Sequence, residues 1–229
     1  MPCSSHGQRR AEGRGNGRRG SPPPVPRVPT RARPSSVRRT TRGRSRERHR
    51  EHRPPRLPLP PRPLATGSVA PDPHTACACC GRVRGLVYAG PVYTAADEDL
   101  RGRLCPWCIA DGSAAERYDA SFCGVVAGDV PEAVLTAVGR RTPGFSAWQE
   151  SVWLSHCGDA AAFLGPVGSA ELAAYPEAVD ALRREAVAWQ WSADEIERYL
   201  GSFDREGQPT AYLFRCRVCD AHLAYSDFT

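Results

Sequence analysis

The sequence predicts an α+β fold, and three observations lead to that prediction. Three Cys-x-x-Cys pairs punctuate the chain, at Cys77 and Cys80, Cys105 and Cys108, and Cys216 and Cys219. Short strand-like runs lie beside the first and third pairs, whereas capped amphipathic segments lie between the second and the third. Strands near both ends and helices in the middle are typical of an α+β protein.

The first two cysteine pairs predict a zinc site of four thiolates, because each short loop presents two sulfurs to one ion. The pairs are separated by 24 residues, 81–104. Residues 86–94 predict a hairpin that turns at Gly90 and Pro91. The Ala-rich run after Cys108 predicts a short helix, whose N-terminus would lower the pKa of the thiols. Together these features predict a zinc-knuckle or treble-clef-like module over residues 57–122.

Two alternatives to this four-cysteine site stay open. Cys79 lies inside the first loop and is interpreted as a spare thiol, although a shift of register would let it replace a neighbour. The segment from Cys105 to Cys108 superficially resembles a redox dithiol motif, but that motif needs a βαβ context, and here a predicted hairpin precedes it.

Residues 123–229 predict a helical region that ends in a β-hairpin. Pro131 and Pro176 suit the first turns of two helices, and Ser192 with Glu195 forms a capping box for a third. Four aromatic side chains of the segment are predicted to lie in the core: Phe145, Trp148, Trp153 and Phe163. The final run predicts two strands joined at Cys216 and Cys219, a second knuckle on a hairpin.

This third pair needs two further ligands to close a second zinc site. The candidates are His156, Cys157, His222 and Cys123. Cys157 is the first choice, and His156 or His222 would complete a set of three cysteines and one histidine, with water as the other option for the fourth position.

An open fourth position would change the chemistry of this second site. Three protein ligands plus water is the geometry of catalytic zinc, and Asp159 would then be close enough to Cys157 to act as a base. A metal-dependent hydrolase that uses Cys157, Cys216 and Cys219 is therefore an alternative function. The opposite interpretation is that Cys157 and His156 are ordinary core residues.

Charge divides the chain sharply. Residues 1–62 carry 18 of the 31 basic residues and three acidic ones, a net charge of +15, whereas the remainder carries −9 and every Phe, Tyr and Trp. Residues 1–56 are therefore predicted to be a disordered Arg- and Pro-rich leader, and residues 57–229 to be the folded domain. All basic residues are Arg, as in a GC-rich genome, so the leader is interpreted as a misassigned start; an arm that binds nucleic acid and an inert tail are the alternatives.

The sequence also restricts location and function. No stretch of 18 apolar residues occurs, and no apolar run follows the Arg9-Arg10 pair, so a cytoplasmic protein is predicted. In that reducing compartment clustered cysteines serve as ligands more often than as disulfides. No nucleotide-binding loop, serine elbow or carboxylate dyad accompanies the cysteines, and a folded part of −9 opposes nucleic acid. The predicted role is a zinc-stabilised module that binds a protein or a small ligand.

Four segments of the chain resemble the CbrC family of bacterial proteins: LATGSV, CPWCIADGSAA, PGFSAWQESVWLSHCGDAAAFLG and YLFRCRVCDAHLAYSDFT. The resemblance covers residues 57–229 and implies a small cytoplasmic protein whose biochemical activity is not established. One position departs from the pattern. Asp220 follows the last cysteine where Gly is usual, so it has to accommodate a tight turn, whereas the first loop keeps Gly81.

Overall fold

The computed structural model describes residues 59–228, which combine helices with short strands and so confirm the α+β prediction. The strands are β1 (Val69–Ala76), β2 (Val83–Tyr88), β3 (Val125–Val126), β4 (Val152–Trp153), β5 (Ser155–His156), β6 (Asp159–Ala160), β7 (Ala162–Val167), β8 (Thr210–Arg215) and β9 (His222–Asp227). The helices are α1 (Pro106–Ala110), α2 (Ser113–Tyr118), α3 (Glu132–Arg141), α4 (Ser169–Leu172), α5 (Pro176–Ala188) and α6 (Ala193–Gly201). The predicted leader, residues 1–56, lies outside the described residues.

The first hairpin turns at the cysteine loop and not where the sequence predicted. β1 pairs antiparallel with β2, with Val69 opposite Tyr88, and residues 77–82 connect the two strands. The predicted turn at Gly90 and Pro91 is wrong, because β2 ends at Tyr88 and the next stretch makes only an isolated bridge from Tyr93 to Ser121. The sequence did not indicate β1 as a strand because the segment contains prolines. Proline lacks an N–H and is tolerated only at edge strands.

The helix predicted after Cys108 is two short helices. α1 begins directly after Cys105, which occupies its N-cap position, and ends at Ala110. Gly112, with φ of 87°, separates it from α2. A left-handed residue of this kind ends one helix and redirects the chain before the next.

The later helices begin at the predicted signals. α3 follows Pro131, and α5 begins with Pro176 at its first position. Ser192 and Glu195 form the predicted capping box at the start of α6. The segment is nevertheless not purely helical, because β3 to β6 form two small two-stranded sheets within it. Two-residue strands have no periodicity that a sequence pattern could show.

A three-stranded antiparallel sheet in the order β7-β8-β9 forms the centre of the C-terminal part. Side chains of β8 alternate between two buried environments, so the strand is apolar throughout. Ala211 and Leu213 pack with the apolar faces of α5 and α6. Tyr212 and Phe214 pack on the other side among aromatic residues. Because helices cover one face and aromatic rings the other, β8 shows no alternation of polar and apolar residues.

Three of the four predicted core aromatics are buried. Phe145 stacks on Phe163 with ring centroids 3.9 Å apart, and Trp153 is fully buried beside them. The prediction for Trp148 is wrong, since it is 49 % exposed. Its indole Nε1 donates to the carbonyl of Gly207 at 3.0 Å, so the ring lies against a loop at the protein surface.

None of the helices within residues 59–228 combines the length and the hydrophobicity needed to cross a bilayer.

Candidate metal centres

The first two cysteine pairs meet in one cluster. The sulfurs of Cys77, Cys80, Cys105 and Cys108 all lie within 4.8 Å of one another. Individual sulfur–sulfur distances are 4.0 Å from Cys77 to Cys108, 3.9 Å from Cys80 to Cys105 and 3.5 Å from Cys105 to Cys108. Three of the four residues are buried and Cys80 is partly buried. The four sulfurs could therefore hold one metal ion.

Two different elements contribute to this cluster. The turn between β1 and β2 carries Cys77 and Cys80, and the start of α1 carries Cys105 and Cys108. The backbone N–H of Cys105 donates to the sulfur of Cys77 at 3.2 Å, which joins the two elements directly. Buried apolar residues surround the cluster, among them Leu100, Leu104, Ile109 and Phe122.

The third cysteine pair forms a second cluster with His156 and Cys157. Their ligand atoms and the sulfurs of Cys216 and Cys219 all lie within 4.8 Å of one another. His156 Nδ1 is 3.2 Å from the sulfur of Cys157 and 3.3 Å from that of Cys219. Cys216 is buried, whereas the other three residues are exposed. These four atoms could hold a second metal ion.

Strand pairing explains how residues so far apart in sequence meet at the second cluster. β7 runs antiparallel to β8, with Ala162 opposite Arg215. Residues just before Ala162 consequently lie beside residues just after Arg215. The hairpin of β5 and β6 falls in this position, and its two-residue loop presents Cys157, with φ of 54°, and Gly158, with φ of 71°. Positive φ at both loop residues is typical of the tight turns that match strand twist.

The other candidate ligands lie outside both clusters. His222 has its ring 4.7 Å from that of Tyr175, and its backbone N–H donates to Glu177. Cys123 is buried and its thiol donates to the carbonyl of Val125 at 3.5 Å. The thiol of Cys79 faces the hydroxyl of Ser113 at 3.6 Å. Of the two histidines considered for the second cluster, the structure thus brings in His156.

The two cysteine loops share one backbone design. The N–H of Cys77 donates to the carbonyl five residues later, Arg82, at 3.0 Å, and that of Cys216 donates to Ala221 at 2.8 Å. Each loop then needs a residue with positive φ directly after its second cysteine. Gly81 fills this position with φ of 69°, and Asp220 fills it with φ of 60°. Asp220 therefore adopts a left-handed conformation that costs a side-chain-bearing residue energy.

Comparison with known proteins identifies the family. A family model described as "Uncharacterised protein family (UPF0167)" matches residues 55–228. The chain belongs to the UPF0167 family. It is 52 % identical over 177 residues to UPF0167 proteins of Mycobacterium bovis and Mycobacterium tuberculosis, covering 76 % of this chain and 93 % of each relative. A UPF0167 protein of Pseudomonas aeruginosa is 39 % identical over 180 residues, covering 75 % of this chain and 98 % of the relative. No solved structure matches the chain significantly.

The resemblance to the CbrC family stays a prediction, because the family model and these three relatives carry the UPF0167 designation. The UPF0167 relatives have no established activity in their descriptions, so the chemistry of this chain has to be argued from its own side chains.

Hydrogen bonds favour a thiolate at the first cysteine of each loop in this UPF0167 chain. The hydrogen bond with the thiol of Cys105 is the largest effect on Cys77, and backbone N–H groups of the loop add to it. Together they lower the pKa of Cys77 to about 4, although burial raises it. At Cys216, burial raises the pKa, but hydrogen bonds from the N–H groups of Cys219 and Val218 and from the side chains of His156 and Cys219 together lower the pKa to about 6. A thiolate is the form that binds metals.

Two residues that the sequence analysis overlooked hold the first cysteine loop in place. Tyr118 donates its hydroxyl to the carbonyl of Ala78 at 2.9 Å, and Arg117 donates to the carbonyl of Cys79 at 2.6 Å. Both come from the last turn of α2, about forty positions along the chain, so no local sequence signal connects them to the loop. They satisfy carbonyls that the tight turn cannot pair itself.

Asp159, the predicted base beside the second cluster, is engaged in an ion pair. Its Oδ2 lies 3.3 Å from Nη1 of Arg217, within the same loop that carries Cys216 and Cys219. Its Oδ1 accepts from the N–H of Ala160. The carboxylate therefore links the two hairpins of the cluster.

Proposed function

We propose that the chain is a zinc protein with two four-ligand sites, and that the two ions hold its hairpins in place for a binding role. The observation that carries the proposal is the convergence of four ligand atoms within 4.8 Å in each cluster. Zinc–sulfur bonds of about 2.3 Å in a tetrahedron place sulfurs about 3.8 Å apart. Four sulfur–sulfur separations, from 3.5 to 4.0 Å, bracket that value.

The ligand types support zinc over other occupants. Four cysteines, or three cysteines with one histidine, are the standard ligand sets of structural zinc, and thiolates with imidazole suit this ion better than calcium or magnesium, which prefer oxygen. A disulfide needs sulfurs only about 2.05 Å apart, far closer than any pair in the clusters. The knuckle between β1 and β2 and the pair at the start of α1 support a treble-clef-like arrangement for residues 57–122.

The second cluster supports a structural site over a hydrolytic one. A catalytic zinc keeps an open position for water, whereas His156 lies where it would supply a fourth protein ligand beside Cys157, Cys216 and Cys219. The candidate base Asp159 is already paired with Arg217. These two facts favour a closed tetrahedron, so the hydrolase is the weaker alternative.

The binding role rests on what the clusters stabilise. Each zinc would join two chain segments, the first within a buried apolar cluster and the second at the protein surface, and leave the surrounding surface free to meet a protein or a small ligand. A regulator that binds nucleic acid through the leader remains a separate prediction, because residues 1–56 lie outside the described part. A single domain over residues 57–229 and a cytoplasmic location, where thiols stay reduced, belong to the same proposal.

Metal analysis of the purified protein tests this proposal. Elemental analysis by mass spectrometry should find two zinc ions per chain, and the apoprotein made under denaturing chelation should regain both on refolding with zinc. A preparation that is folded and free of metal would contradict it, because binding of structural zinc and folding are coupled.

A further inference from the structure

A cavity of about 610 Å³ opens beside α6, separate from both cysteine clusters. Its volume falls within the range of about 300 to 1,000 Å³ that is usual for small-molecule sites. Trp191 from the α5–α6 connection, Tyr199 and Arg198 from α6, and Phe228 after β9 are among the residues that line it. The α5–α6 connection, α6 and the segment after β9 thus form one concave surface that aromatic side chains line.

The aromatic rings of this cavity form an ordered group. Trp191 and Tyr199 meet edge to face with centroids 5.2 Å apart. Trp189, which is not among the lining residues, contacts Trp191 at 5.0 Å and Phe228 at 5.9 Å. Tyr199 is buried and its hydroxyl is hydrogen-bonded to Ser226, whereas Phe228 is 40 % exposed. A planar ring that entered the cavity would therefore meet aromatic surfaces on which it can stack.

The polar side chains of the cavity differ in how many of their hydrogen-bonding atoms already have partners within the protein. Glu195 accepts both the backbone N–H and the hydroxyl of Ser192, at 2.8 and 2.6 Å, so its carboxylate serves the helix cap. Ser202 donates to the carbonyl of Tyr199. Arg198 donates only through Nε, to the carbonyl of Asp194 at 3.3 Å.

The two terminal nitrogens of Arg198 have no hydrogen-bond or ion-pair partner within residues 59–228. Among the residues that line the cavity, Arg198 is the one cation and Glu195 the one anion. The carboxylate of Glu195 is engaged in the helix cap, so the guanidinium of Arg198 is the charged group with free donors. A guanidinium in this state is suited to grip a carboxylate or a similar planar anion with two parallel hydrogen bonds.

We propose that this cavity binds a small planar aromatic molecule that carries an anionic group, with Arg198 pairing with the anion and Trp191, Tyr199 and Phe228 packing against the ring. The proposal gives a ligand class to the binding role suggested above and rests on that role. It does not depend on metal chemistry, because none of these residues belongs to a cysteine cluster.

Titration of the full-length, zinc-loaded protein with indole-3-carboxylate tests the proposal, with calorimetry and tryptophan fluorescence as readouts. Indole-3-carboxamide, which has the same shape without the charge, is the matched probe. We expect Arg198→Gln to weaken carboxylate binding by up to about fivefold, because Arg198 is exposed and an exposed ion pair contributes about 1 kcal/mol or less, where 1.4 kcal/mol is tenfold. Binding of the carboxamide should change little.

Arg184→Gln is the control variant, because it removes the same charge from an exposed residue of α5 outside the cavity lining. It should leave both affinities unchanged. A second variant, Trp191→Leu, should weaken both probes.

Absence of carboxylate binding up to millimolar concentration would overturn the proposal, and so would equal affinities for the two probes or an unchanged affinity in Arg198→Gln. Zinc content is measured on the same preparation. Two ions per chain without carboxylate binding would therefore remove the cavity proposal alone, whereas a folded preparation without zinc would remove the metal proposal.

Discussion

The sulfur of Cys157 lies 3.7 Å from that of Cys219, although 62 positions separate the two residues. The antiparallel pairing of β7 with β8 brings them together, since it places the β5–β6 hairpin beside the loop that ends β8. A metal at this point would join the middle of the chain to its last two strands.

Replacement of Cys157 by Ala should therefore remove one zinc and loosen the final hairpin. Amide exchange should become faster around Leu213 in β8 and Leu223 in β9, because the ion no longer pins these strands to the β5–β6 hairpin. Elemental analysis and hydrogen-exchange mass spectrometry measure the two effects.

Histidine variants provide the control for this experiment. His156→Gln should behave like Cys157→Ala, whereas His222→Gln should keep both zinc ions, because its ring packs on Tyr175 and not in the cluster. Unchanged zinc and exchange in Cys157→Ala would make Cys157 an ordinary surface residue. Loss of zinc with unchanged exchange would instead favour the open, hydrolytic site.

Cys105→Ser should remove the other zinc and unfold the N-terminal module. Structural zinc contributes about 10 to 16 kcal/mol of apparent binding energy in small zinc-binding peptides, more than a small domain can lose. Circular dichroism melting and zinc content measure the result. Cys79→Ser is the matched control, since its thiol lies in the same loop but contacts Ser113. A normal melting curve with both zinc ions in Cys105→Ser would contradict the four-cysteine site.

Removal of residues 1–56 should leave stability unchanged. The leader contains no aromatic residue and hardly any aliphatic ones, so it has no apolar surface to bury. A loss of 1 kcal/mol lowers Tm by roughly 2 to 4 °C in a domain near this size. Calorimetry should find a difference below about 2 °C; a larger decrease would show that the leader packs on the domain.

Asp220→Gly should stabilise the protein by about 0.5 to 1 kcal/mol, because glycine adopts a positive φ without the steric cost that a side chain pays there. The ion pair from Asp220 to Arg215 spans 3.8 Å between exposed side chains and offsets little of that gain. Gly81→Ala, at the equivalent position of the first loop, should destabilise. Urea denaturation measures both free energies of unfolding, and a lower value for Asp220→Gly would contradict the argument.

Much of the helical structure could be read from the sequence, because capping and proline signals act within a few residues. Pro131, Pro176 and the box of Ser192 with Glu195 each mark a helix start that the structure contains. The cysteine spacing likewise indicated which loops carry sulfurs, since a Cys-x-x-Cys turn is a local feature.

Other features depended on contacts that no local pattern encodes. The partner of β2 is the proline-containing β1. Trp153 is buried and Trp148 is exposed, a difference that arises only when the chain packs. The carboxyl of Asp159 turned out to be paired with Arg217 for the same reason.

Local patterns were thus sufficient for the mixed helix and strand content and the positions of the three cysteine pairs, and residue type alone made Cys157 a candidate partner of the last pair. The choice of His156 over His222 for the second cluster required the folded chain, because the two histidines are equally good ligands in isolation. The pairing of β7 with β8 places His156 beside Cys216 and Cys219, whereas the ring of His222 packs against Tyr175. Strand register, which brings residues more than fifty positions apart into contact, is the physical reason for that difference.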